Sequence, residues 1–153
     1  NKNDKFYSNL DRKFRYFRDK VYGEKNYNKI MYELILKKKI KLGKLNNNLW
    51  INKKQIQKLS IEGHEFGLHS YSHNTILGNT SYQNQLFEYK KNLKDIKSII
   101  NKKITSCAYP SNSFNKNTIK ILKSLNILIS FRSDHNFKKN SDYQLKRIDH
   151  TLL

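Results

Sequence analysis

The chain has 153 residues, enough for one domain with a core of its own and marginal for a complete barrel. Its hydrophobic content of 37%, with ten tyrosines and eight phenylalanines, excludes a disordered chain, and no run is apolar enough to span a membrane. The formal charge of +19 invites an anionic partner, but the lysines run through every segment beside asparagine and isoleucine, with no zinc finger, RNP signature or arginine-rich arm. Specific nucleic-acid recognition is therefore not expected, because charge alone gives non-specific, salt-sensitive binding. A non-catalytic basic module for an anionic polymer or nucleic acid stands as the alternative to the reading developed below. Cys107, the one cysteine, excludes an internal disulfide and points toward a cytoplasmic rather than an exported protein. The chain opens without methionine or the apolar core of a signal peptide, so we expect its natural amino terminus to lie upstream.

In chain order, Phe14, Phe17, Arg18 and Val21 recur at helical spacing and predict a helix over 13–21 that stops at Gly23. Tyr27, Ile30, Met31, Leu34 and Ile35 follow the i, i+3, i+4, i+7, i+8 rule, which predicts an amphipathic helix with a core-facing stripe. Lysines at its carboxyl end complement the helix dipole. After a loop over 43–48, Asn52 with Gln55 three residues on is an N-cap signal, and Ile51 and Ile56 hold the staple positions. The helix over 53–62 stops at Gly63, and 64–68 reads as a short buried strand. Ser81 caps a long helix carrying Tyr82, Leu86, Tyr89, Leu93, Ile96 and Ile100. A strand over 104–109, a helix capped by Asn115, a strand over 127–131 and a last one over 145–148 complete the chain. Alternation of helix and strand predicts an α/β domain over 1–153 with a parallel sheet. Sites in such folds gather at the carboxyl ends of strands, where His69, Tyr109, Pro110 and Arg132 fall.

The densest stretch is Gly63-His64-Glu65-Phe66-Gly67-Leu68-His69-Ser70-Tyr71-Ser72-His73, with three of the chain's five histidines. A helical turn after His69 would bring His73 onto the same face. Two neutral imidazoles held so make half of a zinc site, although such pairs often only cap or solvate a loop. Ser70 stands where a zincin needs glutamate, which excludes that metalloprotease class. On a strand His64 would point away from His69, as a hydrogen-bonded core histidine; His135 lies in a polar loop and is expected to be solvated.

The whole phrase closely resembles the second motif of the polysaccharide deacetylases (NodB homology, carbohydrate esterase family four). The resemblance implies His69 and His73 as ligands of a divalent metal, usually zinc. Ala108-Tyr109-Pro110-Ser111-Asn112-Ser113-Phe114-Asn115 is similar to the family's third motif, with Asn112 where glycine is usual. That motif shapes one wall of the sugar groove, which implies Tyr109, Pro110 and Ser111 as substrate-binding residues. Asn112 tolerates the left-handed backbone better than most residues. Phe131-Arg132-Ser133 and Leu145-Lys146-Arg147-Ile148-Asp149-His150 resemble a later strand end and a closing phrase. They imply Arg132 at the substrate and Arg147, Asp149 and His150 in catalysis; on residues alone, surface charge near a chain end is the more common explanation. The 15–23 stretch also looks like the linker helices of some capsule-associated members.

The resemblance implies the carboxyl-terminal part of a distorted (β/α) barrel of NodB/glycoside hydrolase-deacetylase type, acting on N- or O-acetyl groups of a polysaccharide or oligosaccharide. In such enzymes the metal polarises the acetyl carbonyl, an aspartate takes a proton from water and a histidine protonates the leaving group. The family's first motif, with its Asp-Asp pair, has no counterpart in these residues, where no two aspartates are adjacent. The expectation is an amino-terminally truncated domain, inactive as it stands, that self-associates through exposed strand edges.

Overall fold

Among the described residues, four short segments, the longest of three residues, line up side by side in sequence order, all parallel. β1 (Ser106–Ala108) pairs with β2 (Ile129–Phe131) in the register Ser106 to Ile129, Cys107 to Ser130 and Ala108 to Phe131. Leu68 bridges Cys107 on one flank and Leu145 bridges Phe131 on the other. The computed structural model describes residues 7–41, 43, 50–134 and 141–147. Sequential parallel neighbours are the order of a singly wound (β/α) barrel, whereas a doubly wound sheet reverses direction at its switch point.

The chain divides into two compact units, Asn1–Trp50 and Ile51–Leu153. In the first, Ser8 caps α1 (Asn9–Tyr16) through a reciprocal capping box with Asp11, so this helix starts earlier than periodicity alone places it. A π-helical turn (Phe17–Tyr22) follows, and the backbone breaks at Gly23, where φ is 66°. Only glycine enters that region without strain. In α2 (Gly23–Lys37) the stripe expected to form core is half-buried at Tyr27, Ile30, Met31 and Ile35, and Leu34 is exposed. A helix pair covers each stripe from one side only, so it does not enclose a core as a layered sheet does.

The second unit holds the core. α3 (Lys53–Ile61) begins as expected, with Asn52 and Gln55 exchanging hydrogen bonds of 3.0 and 2.8 Å. It ends in a Schellman motif: Gly63 takes φ 96°, its N–H donates to the Ser60 carbonyl, and His64 N–H donates to the Leu59 carbonyl. α4 (Tyr82–Lys97), capped by Ser81, and α5 (Lys116–Ser124), capped by Asn115, cover the sheet. Leu68, Leu77, Tyr89, Ile104, Cys107, Tyr109, Ile121, Leu122 and Ile127 are buried together between them.

The strands are shorter than the apolar runs suggest. Of 64–68 only Leu68 pairs, and His64 is exposed at the Schellman turn rather than buried in a core strand. Leu145 makes a single bridge, and Ile148 lies outside the described residues. Leu128, inside the expected 127–131 strand, is exposed, so apolar character there runs ahead of pairing.

Cys107 sits 1% exposed in β1 against Tyr89. Burial pushes its thiol up to about 12, with Tyr89 opposing in part. A thiol so placed is inert because the thiolate is the nucleophile. We expect a thiol-specific reagent to leave native Cys107 unmodified and to label it in denaturant, along the unfolding curve. Rapid labelling at full native circular dichroism would contradict this placement.

Candidate functional site

Three loops leave the carboxyl ends of the parallel segments, and their geometry is set by polar residues beneath them. His69 follows Leu68 directly. Its backbone N–H donates to Asn92 Oδ1 at 2.9 Å, and its ring Nδ1 lies 2.8 Å from the Ala108 carbonyl. A carbonyl can only accept, so Nδ1 carries the proton and Nε2 presents a lone pair. Desolvation lowers the His69 pKa most; the Ala108 carbonyl opposes this, while His73 and Arg147 push further down. The ring is thus held neutral, the form in which imidazole binds a cation.

His73 is brought to within 4.8 Å of His69, ring centre to ring centre, with the planes at 64°. The segment between them does not turn helically, as the sequence suggested it would. Ser70 and His73 both take positive φ, 59° and 56°, and the His73 N–H donates to Ser70 Oγ at 3.1 Å. What holds this unusual loop is Glu88 on α4, a carboxylate only 6% exposed. Its Oε2 accepts from the N–H groups of Tyr71 and Ser72 at 3.0 and 2.8 Å, and its Oε1 from the Ser72 hydroxyl at 2.9 Å. Charge-assisted bonds to backbone N–H groups are the strong kind. Gln85, one turn earlier, donates to the Thr80 carbonyl and accepts from Thr118. Glu88 and Asn92 therefore hold the loop from one polar stripe of the helix, which Gln85 continues toward Thr80 and Thr118.

The second loop follows β1. Tyr109 is 1% exposed; its hydroxyl meets Ser130 Oγ at 2.6 Å and donates to the Tyr143 carbonyl at 2.8 Å, so it braces the sheet from inside. Pro110 is buried and Ser111 exposed. Ser111 and Asn112 are both left-handed, φ 48° and 58°, so the asparagine occupies the backbone region its glycine-like position requires. It also does what glycine cannot: Nδ2 donates to Asp134 at 2.7 Å and Oδ1 accepts from Ser133 N–H at 3.3 Å. Arg132, at the end of β2, is buried and forks onto both oxygens of Asp134 at 3.0 and 2.8 Å, and it reaches Gln144 at 3.4 Å. Its guanidinium lies 5.4 Å from the Phe114 ring, which stacks on Tyr109 at 4.2 Å.

The structure thus brings His69 and His73 together, with Arg147 exposed within electrostatic reach of His69. Asp149, His150 and His135 lie outside the described residues. The donor set suits two ligands of a divalent metal: a pair of imidazoles, one fixed through its far nitrogen by a carbonyl, as metal-binding histidines commonly are. Among the described residues no group of three His, Cys, Asp or Glu side chains is close enough to hold an ion. Also among them, no helix is long and apolar enough to cross a membrane.

A sequentially wound parallel sheet with paired imidazoles at its carboxyl edge defines an α/β domain of barrel type. The polysaccharide deacetylase profile matches residues 19–129, and the chain belongs to that family. A Streptococcus pyogenes deacetylase, PplD, solved with acetate, shares the fold at TM-score 0.61 and 23% identity, over 69% of this chain and 47% of that one. The deacetylase domain of BpsB from Bordetella bronchiseptica aligns at TM-score 0.56 and 15% identity, over 65% of this chain and 49% of that one. A CE4 family pseudoenzyme from Bacillus anthracis aligns at TM-score 0.47 and 25% identity, over 50% of this chain and 27% of that one. The chain spans about half the length of the first two of these structures. No curated protein matches it.

Proposed function

We propose that this chain contributes the metal-binding half of a sugar deacetylase, with His69 and His73 as two ligands of a divalent metal, zinc by preference. One observation carries the reading: the two rings lie 4.8 Å apart while the Ala108 carbonyl holds His69 with Nε2 free. When bound, such a metal supplies Lewis-acid polarisation of an acetyl carbonyl and activation of water. The chain's own residues do the rest. Asn92 and Ala108 fix the position and tautomer of His69, and Glu88 fixes the loop that delivers His73. The buried Tyr109 and Pro110 set the height of the neighbouring wall, from which Ser111 reaches an acetylated sugar. Arg132 orders that wall through Asp134 and Asn112. Arg147, within electrostatic reach of His69, would attract an anionic group, and we assign proton transfer to Asp149 and His150 on the resemblance of the closing phrase alone.

The proposal is tested by metal analysis of freshly purified protein beside the His69→Ala, His73→Ala double variant. Wild type is expected to retain zinc, and the variant to bind it at least about 100-fold more weakly, since even indirect supports of a ligand are worth 10–100-fold. Equal zinc in both would overturn the assignment of ligands. With no two aspartates adjacent, the 153-residue chain by itself is expected to release little or no acetate from chito-oligosaccharides or acetylxylan. Sustained acetate release would show that another group serves as base.

A further inference from the structure

We propose that the outer face of α4, joined by Tyr71, is a binding platform for an acidic polysaccharide; this rests on the reading of the neighbouring histidines as the reacting site. Phe87, Lys90, Lys91 and Lys94 stand at i, i+3, i+4 and i+7 and therefore share one helix face. They line, with Gln83 and Leu86, a depression of about 340 Å³. Phe87 is 56% exposed, and Tyr71, which meets it edge-on at 6.2 Å and 84°, is 51% exposed. Tyr71 belongs to the loop between His69 and His73 and is pinned by its own N–H on Glu88. The platform is thus continuous in sequence and in space with the candidate site.

Two exposed aromatic rings held at right angles offer apolar faces of the size of a pyranose ring, and aromatic surfaces with a few placed polar groups are how small ligands and sugars are gripped. The charges select what else the ligand carries. Lys91 is engaged, with its ammonium on Asp95 at 2.5 Å and 4.7 Å above the Tyr71 ring. Lys90 and Lys94 are exposed and make no ion pair among the described residues. They flank the aromatic pair with two uncompensated positive charges, on a chain whose net charge of +19 already draws polyanions toward it. A second copy of this chain fits poorly, since a two-fold contact would set these lysines against themselves. A polymer of sugars bearing carboxylate or phosphate groups satisfies both halves of the surface.

The test is calorimetric titration with polygalacturonate, with phosphomannan and with chitohexaose as the neutral reference, with melting curves to verify folding. Wild type is expected to bind at least one acidic polymer about tenfold more tightly than chitohexaose. The Lys90→Gln, Lys94→Gln pair and Phe87→Ala should each weaken that binding about tenfold. Lys116→Gln with Lys120→Gln, an equal loss of charge on α5, should change it less than about twofold, and His69→Ala should leave it unchanged. Binding of neither polymer, an equal loss from the control pair, or no effect of Phe87→Ala would overturn the platform. So would tighter, Phe87-dependent binding to phosphatidylglycerol vesicles, which would make the face a membrane contact. Because His69→Ala is carried in parallel, failure of the metal reading shows in zinc content alone and failure of the platform in glycan affinity alone.

Discussion

Replacing Glu88 by alanine is expected to lower the stability of the second unit by about 3 kcal/mol and to weaken zinc binding at the proposed ligands His69 and His73. The energy follows from the bonds lost. Three donors, the N–H groups of Tyr71 and Ser72 and the Ser72 hydroxyl, converge on one carboxylate. Hydrogen bonds to a charged group contribute roughly 1.5–3 kcal/mol each, and a donor stranded without an acceptor costs about 1–3 kcal/mol. Part of that is regained, because Tyr71 and Ser72 are exposed and water can reach the freed groups. The effect on the site is geometric: without the carboxylate the Ser70 and His73 backbones keep only the local Ser70 Oγ bond to hold them left-handed, and a relaxed loop no longer presents two imidazoles together. Glu88→Gln separates charge from geometry. Its amide oxygen can still accept both N–H groups while the Ser72 hydroxyl turns to accept from the new NH₂, so about 1 kcal/mol should be lost and zinc retained. Chemical denaturation paired with metal analysis reads both. An alanine variant within about 0.5 kcal/mol of wild type would mean that Glu88 does not organise the loop.

What was legible in the sequence was mostly local. Asn52 with Gln55, Ser81 and Asn115 cap the helices they announce, because capping depends on side chains within three residues of one another. The left-handed backbone at Asn112 was legible for the same reason. The closeness of His69 and His73 was legible as a spacing, but not the means of achieving it. A helical turn was the simple solution; the actual one uses a helix 16 and 17 residues away in sequence, whose Glu88 reaches back to the loop. The signal existed, since Gln85, Glu88 and Asn92 fall on the same helical face as Tyr89, but hydrophobic periodicity registers the tyrosine and ignores its polar neighbours. The strands are shorter than the apolar runs because those runs record burial against helices as well as pairing. His64 is a case of this: once 64–67 is not a strand, nothing directs it inward.

The second large effect is expected at Gly78, where alanine should lower the melting temperature by about 10 °C or more. A Cβ there would lie 2.7 Å from the backbone nitrogen of Phe114 and 2.9 Å from its Cα and carbonyl carbon. Those atoms cannot step aside alone. Gly78 N–H donates to Ser113 Oγ, its carbonyl accepts from Asn115 Nδ2, and Phe114 is stacked on the buried Tyr109. The methyl group therefore has to push the whole turn carrying Ser111 and Asn112, and overpacking of that kind costs roughly 1–3 kcal/mol, or several degrees per kcal/mol in a domain of this size. Gly67→Ala is the informative comparison. There the nearest atom, at 2.6 Å, is the Ser106 hydroxyl, which can rotate away, although the Ser106 carbonyl at 3.1 Å keeps the fit tight. Its cost should be about 1 kcal/mol. If Gly78→Ala melted within about 2 °C of wild type, the 74–80 loop would not be packed against the turn as described. If Gly67→Ala proved the worse of the two, approach of the segment entering Leu68 and His69 to β1 would be the tighter constraint on the site.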